Sequence, residues 1–402
     1  MSRKNAKSIV SVVEAYGMYL ITGISCTCVG AVMMMLTDHF GKSVAQIAAL
    51  TSAFAFGRVI MVFFCGIITE KFGPKLAFAI GLAATTVNLL LMPINTNYWI
   101  AMVLMALAGV GMGFQDSGCP VVLSGEFPVR YSSAMSAGQA FFGAGCFLPP
   151  LAMSVLLSQG LSWKLMYYTF GSLALVLLIG VFFMANNYHT TEEARQKKTG
   201  ILSVFIGKGK FAFWLFFGVF FYVATQNVVH TYTNAFLIHF GVADTVAVNV
   251  LTMYSVGAMV GSILFIPILR RTSPQKVMCI NSIATLVSFS IAMLFPGAAA
   301  FFICFTVAGL FSGVLFSVFI TIATQDAGQH KAIMASLVGL VGGATEIVTP
   351  LLTGQIINAT SVAGAFWYNE FVMVLTVISA FALYTIYKRK SELLTPSDSA
   401  KG

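Results

Sequence analysis

Residues 69–75 read Thr-Glu-Lys-Phe-Gly-Pro-Lys, a short charged turn between two long apolar runs. The run before the turn covers residues 45–69, and the run after it covers residues 75–95. A helix needs about 20 apolar residues to cross the hydrocarbon core of a bilayer, so each run is long enough to cross once. The turn is therefore predicted to lie at a membrane surface between two membrane-spanning helices.

The rest of the chain has the same character. Of its 402 residues, 58% are hydrophobic and only 9% are charged. A soluble domain carries about 25% charged residues, so this chain lacks the polar side chains to cover a water-facing surface. The apolar residues come in unbroken runs and not at every second position, which excludes a membrane β-barrel. We predict an all-α integral membrane protein whose first span is retained and not cleaved as a signal peptide.

Twelve spans are predicted, six on each side of one polar stretch. They cover residues 9–36, 45–69, 75–95, 98–124, 132–158, 164–185, 211–238, 246–269, 276–295, 298–324, 332–358 and 366–387. We number them spans 1 to 12. This reading gives an N-terminal six-helix bundle over residues 1–185, a linker over residues 186–210, and a C-terminal bundle with a short tail over residues 211–402.

The two halves are predicted to be repeats of each other. Residues 269–276, at the end of span 8, read Leu-Arg-Arg-Thr-Ser-Pro-Gln-Lys. Like the turn at residues 69–75, this stretch is basic, contains turn-forming residues and is followed at once by another span. Repeated halves with a binding site between them are a recurring plan of transporters.

The basic residues predict the orientation of the chain in the membrane. All but three of the 22 lysines and arginines lie at the N-terminus, in loops after even-numbered spans, in the linker or at the C-terminus. The exceptions are Lys42 and Lys164, in loops after odd-numbered spans, and Arg58, within span 2. Because cytoplasmic loops collect Lys and Arg, both termini are predicted to face the cytoplasm from the cell membrane. This bias accounts for the net charge of +9 without a nucleic-acid partner.

Residues 66–75, Gly-Ile-Ile-Thr-Glu-Lys-Phe-Gly-Pro-Lys, resemble the signature between spans 2 and 3 of the major facilitator superfamily. The sequence differs from that signature in having Glu70 where Asp is usual. The resemblance implies a transporter that works by alternating access. It assigns conformational gating to five residues: Gly66, Glu70, Lys71, Gly73 and Lys75. It also implies that Glu70 lies by the positive N-terminal end of span 11, near His330 and Lys331.

Within that superfamily, three short segments are similar to the fucose permease group of sugar–proton symporters. They are residues 222–226, Tyr-Val-Ala-Thr-Gln, residues 347–350, Ile-Val-Thr-Pro, and residues 111–116, Gly-Met-Gly-Phe-Gln-Asp. The resemblance implies uptake of a monosaccharide. The acid that this group carries midway along span 1 has no counterpart here, because residues 28–31 read Cys-Val-Gly-Ala. Coupling through that acid is therefore not carried over.

Three ionisable residues lie deep in predicted spans, where a charge is costly and indicates function. Asp116 in span 4 matches the acid of the fucose permease group, and a carboxyl in a partly dry cavity can load and release a proton. Glu346 in span 11 and Arg58 in span 2 lie at equal depth, which predicts an ion pair between the two halves. We expect Asp116 and Glu346 to take part in proton coupling. Two other interpretations stay open: Arg58 binds an anionic substrate, or it pairs with Asp116 within one half.

Uncharged polar side chains at similar depth are the candidate substrate ligands. Hydroxyl-rich solutes need hydrogen-bond donors and acceptors together with aromatic faces, and this set supplies both. The candidates are Gln139, Gln226, Asn227, His230 and Tyr232, with Arg58 added for an anionic substrate. The alternative is hydrogen bonding between helices, which membrane bundles commonly use. For His230 the roles of ligand, proton relay and packing residue all stay open.

The sequence favours a transporter over other classes of membrane protein. The five histidines are scattered, and neither a nucleophile–base pair nor a metal cluster is apparent, so we predict no enzyme, cofactor or metal site. The predicted function is proton-coupled symport of a small polar solute such as a monosaccharide, by a monomer in the bilayer. The alternatives are transport of a small organic anion through Arg58 and drug/proton antiport.

Overall fold

The computed structural model describes residues 3–42, 44–185, 209–242, 244–325, 327 and 330–394. Within these ranges the chain is helical and has no strand. The helices are Arg3–Ala31, Met33–Phe40, Val44–Phe72, Pro74–Leu91, Tyr98–Glu126, Tyr131–Ser158, Lys164–Gly180, Gly209–His239, Asp244–Leu269, Pro274–Leu294, Ala298–Ser312, Leu315–Gln325, Lys331–Ala359 and Val362–Leu394. Of the predicted linker, residues 186–208 lie outside the described residues.

Each predicted span corresponds to one helix or to two consecutive helices. Span 1 is divided at Val32 and span 10 at Gly313–Val314, and a 3-10 turn, Val181–Phe183, ends span 6. Eleven helices among the described residues are long and apolar enough to cross a membrane. The predicted all-α membrane fold is confirmed.

Local chemistry explains the two sharpest helix starts in the first half of the chain. Gly73 has a φ of 88°, a conformation that glycine adopts without steric cost, and Pro74 then occupies the first helical position of span 3, where its missing N–H is no loss. The Asn97 side chain caps span 4 by accepting hydrogen bonds from the backbone N–H groups of Trp99 and Ile100. These residues fix where the spans begin.

The chain packs as two compact units. The first comprises residues 1–198 and 323–347, and the second comprises residues 199–322 and 348–402. The N-terminal part of span 11 thus packs with spans 1 to 6. The division into bundles at residues 185 and 211 stays a prediction.

Glycines hold spans 2 and 4 together in the first unit. A Cβ atom at Gly57 would collide with the backbone carbonyl of Ala106, and one at Gly109 would collide with that of Phe54. Because these residues lack side chains, the two backbones touch directly, as small residues allow in membrane helices. The resulting close pair positions the polar side chains of both spans.

Spans 8 and 10 of the second unit are packed by the same device. Cβ atoms at Gly257 and Gly309 would collide with the carbonyls of Thr306 and Tyr254. These glycines follow Gly57 and Gly109 by two hundred residues. The same offset relates Gly41 to Gly241, both with positive φ, and also relates Gly113 to Gly313, Pro74 to Pro274 and Pro150 to Pro350. The internal repeat therefore extends over more of the chain than the two turns from which it was predicted.

These contacts predict that Gly109→Ala and Gly309→Ala each lower the free energy of unfolding by about 1–3 kcal/mol, the usual cost of overpacking. Unfolding would be followed by heat or denaturant in detergent micelles. Gly30→Ala is the matched control, because nothing lies within 4 Å of a Cβ built at Gly30. An equal loss at Gly30 would contradict the packing argument.

Candidate functional site

One guanidinium joins two carboxylates inside the first unit. Arg58 Nη2 lies 2.9 Å from Asp116 Oδ2, and Arg58 Nε donates to the same oxygen at 3.0 Å. Arg58 Nη1 donates to Glu346 Oε1 at 3.3 Å. Two of the contacts proposed from the sequence, Arg58 with Asp116 and Arg58 with Glu346, therefore occur together.

The two carboxylates differ in exposure. The side chains of Arg58 and Asp116 are 4% and 1% exposed, whereas that of Glu346 is 35% exposed. Asp116 Oδ1 is buried without a hydrogen-bond partner among the described residues. The pair of Arg58 with Asp116 is thus shielded from water. The Glu346 side chain is partly exposed, so its carboxylate can exchange protons with its surroundings.

Small residues let span 11 approach this cluster. A Cβ atom at Gly339 would lie 2.8 Å from Asp116 Oδ2, and one at Gly343 would collide with the side chain of Val59. On span 2, a Cβ atom at Gly66 would lie 2.6 Å from the Oγ atom of Ser336, which lies one turn before Gly339 on span 11. Glycines therefore leave room along this contact for Ser336, the Asp116 carboxylate and the Val59 side chain.

Glu70 lies at the N-terminal end of span 11, where the resemblance places it. Its Oε1 accepts a hydrogen bond from the Ile333 backbone N–H at 3.1 Å, and its Oε2 lies 3.2 Å from His330 Nδ1. The N–H groups of a first helical turn have no partner within the helix, and the helix dipole adds an attraction for a negative charge. The carboxylate satisfies both.

The other three residues assigned to gating lie in the turn after span 2. Lys71 is exposed, with its Nζ 5.1 Å from the ring centroid of Phe72. Gly73 supplies the left-handed conformation of the turn, and Lys75 Nζ donates to the Phe182 carbonyl at 2.8 Å. Only Gly66 and Glu70 of the five contact span 11, and the gating role of the set stays a prediction.

A second polar cluster lies in the second unit, around Gln226. Tyr254 OH donates to Gln226 Oε1 at 2.8 Å and lies 3.0 Å from Ser312 Oγ. The His230 ring meets the Tyr254 ring edge to face, with centroids 5.6 Å apart. Gln226 Nε2 and Asn227 Oδ1 are buried and have no hydrogen-bond partner in the part of the chain that the structure describes.

The remaining substrate candidates, Tyr232 and Gln139, are not among the residues that contact Tyr254. Tyr232 OH accepts a hydrogen bond from Thr353 Oγ1 at 3.0 Å in the second unit. Gln139 is half-buried on span 5 of the first unit. The structure thus brings Gln226 and His230 into contact with Tyr254 and leaves Tyr232 with a partner on span 11.

Three residues of interest are absent from the set predicted from the sequence. Tyr254 contacts Gln226, and Ser312 contacts Tyr254, but tyrosine and serine are common in spans, so nothing in the sequence marks them. Glu370 is half-buried in span 12, where its Oε2 accepts from Ser290 Oγ at 2.7 Å and its Oε1 has no partner among the described residues. A carboxylate inside a predicted span was a visible signal, and it identifies Glu370 by the criterion already used for Asp116.

The chain is similar in sequence to known proteins. The family model of the Major Facilitator Superfamily matches residues 15–246 and 215–401. The MFS-type transporter YfkL of Bacillus subtilis is 24% identical over 398 residues, covering 94% of this chain and 98% of the relative. The inner membrane transport protein YdiN of Escherichia coli is 27% identical over 387 residues, covering 89% and 86%.

Two solved structures share the architecture. The Escherichia coli fucose:proton symporter FucP has a TM-score of 0.74 at 16% identity, with 94% of this chain and 99% of that chain covered. The proton:xylose symporter XylE has a TM-score of 0.74 at 13% identity, with 95% and 96% covered. At these identities the likeness establishes the fold.

The buried ion pair predicts a specific pattern of stability losses. Arg58→Gln should lower the free energy of unfolding by about 3–5 kcal/mol, because it leaves the Asp116 carboxylate buried without its cation. Adding Asp116→Asn to Arg58→Gln should restore part of the loss, since the remaining side chains are neutral. Thermal unfolding in detergent micelles of the single and double variants measures the coupling.

Glu346→Gln supplies the matched comparison. Added to Arg58→Gln, it should restore less stability than Asp116→Asn does, because water partly screens Glu346. Equal restoration by the two second substitutions would contradict the difference in burial on which the prediction rests.

Proposed function

The chain belongs to the Major Facilitator Superfamily, and we propose that it couples proton movement to the transport of a small polar solute such as a monosaccharide. Its relatives and its fold are those of transporters and not of enzymes. In the proposed mechanism the substrate site opens alternately to the two sides of the cell membrane. We further propose that the protein acts as a monomer with both termini in the cytoplasm.

The contact of Arg58 with both Asp116 and Glu346 carries the proposal of proton coupling. One guanidinium balances one carboxylate, so the cluster is electrically neutral when one of the two acids holds a proton. A net charge in an apolar interior is costly, and this cost favours moving the cluster in its neutral form. Asp116 has a vacant oxygen that can carry the proton, while Glu346 is accessible enough to pass it to water.

The unpaired atoms beside Tyr254 support a hydroxylated substrate. Gln226 Nε2 is a donor that needs an acceptor, and Asn227 Oδ1 is an acceptor that needs a donor. A hydroxyl group both donates and accepts, so a sugar hydroxyl is suited to either atom. FucP is a fucose:proton symporter and XylE a proton:xylose symporter, and both support the same substrate class.

The engagement of Arg58 argues against the anion alternative. Its guanidinium is buried and already contacts two carboxylates, so an anionic solute would have to displace an acid of the cluster. A neutral solute meets no such competition. The geometry therefore favours a neutral polar substrate over a small organic anion.

Glu70 supports a separate role in gating. We propose that its contacts with Ile333 and His330 hold the N-terminal end of span 11 in one conformation and break in the other. This role is distinct from that of the Arg58 cluster, because Glu70 contacts the end of the helix and no group of the cluster.

The function is tested in proteoliposomes that contain a pH-sensitive dye. Neutral monosaccharides should acidify the interior without an imposed gradient, and small carboxylates should not. Asp116→Asn should abolish gradient-driven accumulation and retain exchange of labelled sugar, because the substrate cluster around Tyr254 is unchanged. Acidification by carboxylates alone would instead support the anion alternative.

Glu370→Gln is the control for that variant, since it neutralises another carboxyl within a span but lies outside the Arg58 cluster. It should retain accumulation. Loss of sugar binding in Asp116→Asn, measured by equilibrium binding, would contradict its assignment to proton coupling.

The polar cluster around Tyr254 predicts a loss of affinity in Tyr254→Phe. Without the tyrosine hydroxyl, Gln226 loses the hydrogen bond that orients it, so the KM for the sugar should rise about two- to twelvefold, as for one hydrogen bond, with little change in kcat. Tyr222→Phe is the matched control, because the Tyr222 hydroxyl donates to the Ser312 backbone carbonyl and not to Gln226. A similar rise in both variants would indicate general loosening of the helices.

A further inference from the structure

A crevice of about 310 Å³ lies in the first unit beside the turn between spans 2 and 3. Its walls are the end of span 2 and the start of span 3 on one side, and the end of span 6 on the other. Among the described residues that line it, Lys75 is the only charged one. None of these lining residues belongs to the Arg58 cluster or to the cluster around Tyr254, so the proposed transport mechanism does not use the crevice.

One ammonium group, that of Lys75, lines this crevice, and a second, that of Lys71, lies beside its wall residue Phe72. Lys75 Nζ donates to the Phe182 carbonyl at 2.8 Å, and an ammonium has three donors, so two remain for another acceptor. Lys71 lies on the preceding turn, with its Nζ 5.1 Å from the ring centroid of Phe72, and Phe72 is itself a wall of the crevice. The described residues at the rim are therefore positively charged, and none of the described lining residues is acidic.

The walls below the rim are apolar and accessible. Phe182 is 76% exposed, Phe72 is 50% exposed and Leu76 is 41% exposed. The candidate membrane span begins at Pro74, so we expect the rim at the boundary of the hydrocarbon and the walls below it against the acyl chains. A molecule that fits must have an anionic group at the membrane surface and an apolar chain beneath it.

We propose that this crevice is a binding site for one phospholipid with an anionic headgroup. The phosphate pairs with Lys75 and Lys71, and an acyl chain lies along Phe72, Leu76 and Phe182. The positive end of the span 3 helix adds to the attraction for the phosphate. Because Lys71 and Lys75 belong to the turn assigned to gating, the bound lipid would bias the conformation of that turn.

The test is native mass spectrometry of the whole protein in mild detergent. It would be titrated with phosphatidylglycerol or phosphatidylethanolamine that carry the same acyl chains. The wild-type protein should bind one phosphatidylglycerol more tightly than phosphatidylethanolamine. Lys75→Gln should weaken the binding of phosphatidylglycerol about fivefold, the usual effect of one lysine near an anionic lipid surface.

A second variant tests the apolar part of the site. Ala79 lines the crevice, so the phenylalanine ring in Ala79→Phe should fill it. The variant should bind both lipids more weakly, although both lysines stay in place. Lys276→Gln is the matched control, because Lys276 is an exposed lysine at the start of span 9, one residue beyond the position that corresponds to Lys75 in the second half. It should bind phosphatidylglycerol as the wild-type protein does.

Three results would overturn the proposal. Equal binding of the two lipids by the wild-type protein would exclude recognition of the anionic headgroup. An equal loss in Lys276→Gln would show that surface charge alone attracts the lipid. Full competition by soluble glycerol phosphate would show that the rim binds free phosphate and that the apolar walls contribute nothing.

Discussion

The buried guanidinium of Arg58 constrains the whole first unit. A cation with 4% exposure inside an apolar bundle needs partners, because an unpaired buried charge costs several kcal/mol. Asp116 on span 4 and Glu346 on span 11 supply them, so three helices must approach at one level. Gly109 lets spans 2 and 4 touch, and Gly339 leaves room for the Asp116 carboxylate.

The scaffold is repeated between the two units, but the polar chemistry is not. Two hundred residues after Arg58 and Asp116 stand Ala258 and Phe316. Conversely, Tyr254 and Ser312 correspond by the same offset to apolar Phe54 and Met112, and Gln226 corresponds to Cys26. The glycine contacts that pack spans 2 and 4 recur in spans 8 and 10. At these corresponding positions the first unit carries charge and the second carries hydroxyl and amide groups, which divides proton coupling from substrate contact in the proposed mechanism.

The sequence was sufficient to predict the fold and the charged residues, but not their pairing. Length and composition determine that apolar runs cross the membrane, and depth along each run shows that Arg58 and Glu346 lie at one level. Which acid contacts Arg58 depends on the rotation of each helix and on which backbones touch. The sequence of a single span determines neither. Tyr254 escaped notice for the same reason, since its importance comes from its contact with Gln226 across two helices. Glu370 needed no structure, because its position within span 12 was enough.

Span 11 connects the two electrostatic contacts of the first unit. Glu70 meets it at Ile333 and Arg58 meets it at Glu346, thirteen residues and about 20 Å further along the helix. Between them the contact with span 2 passes through Ser336 and Gly343, which offer little resistance to sliding. A proton on Glu346 weakens its attraction to Arg58 and so favours release of the same helix that Glu70 holds. Because such coupling is reciprocal, release of Glu70 must favour proton binding at the cluster to the same extent. In the proposed mechanism, one rigid helix is therefore sufficient to link protonation to conformation.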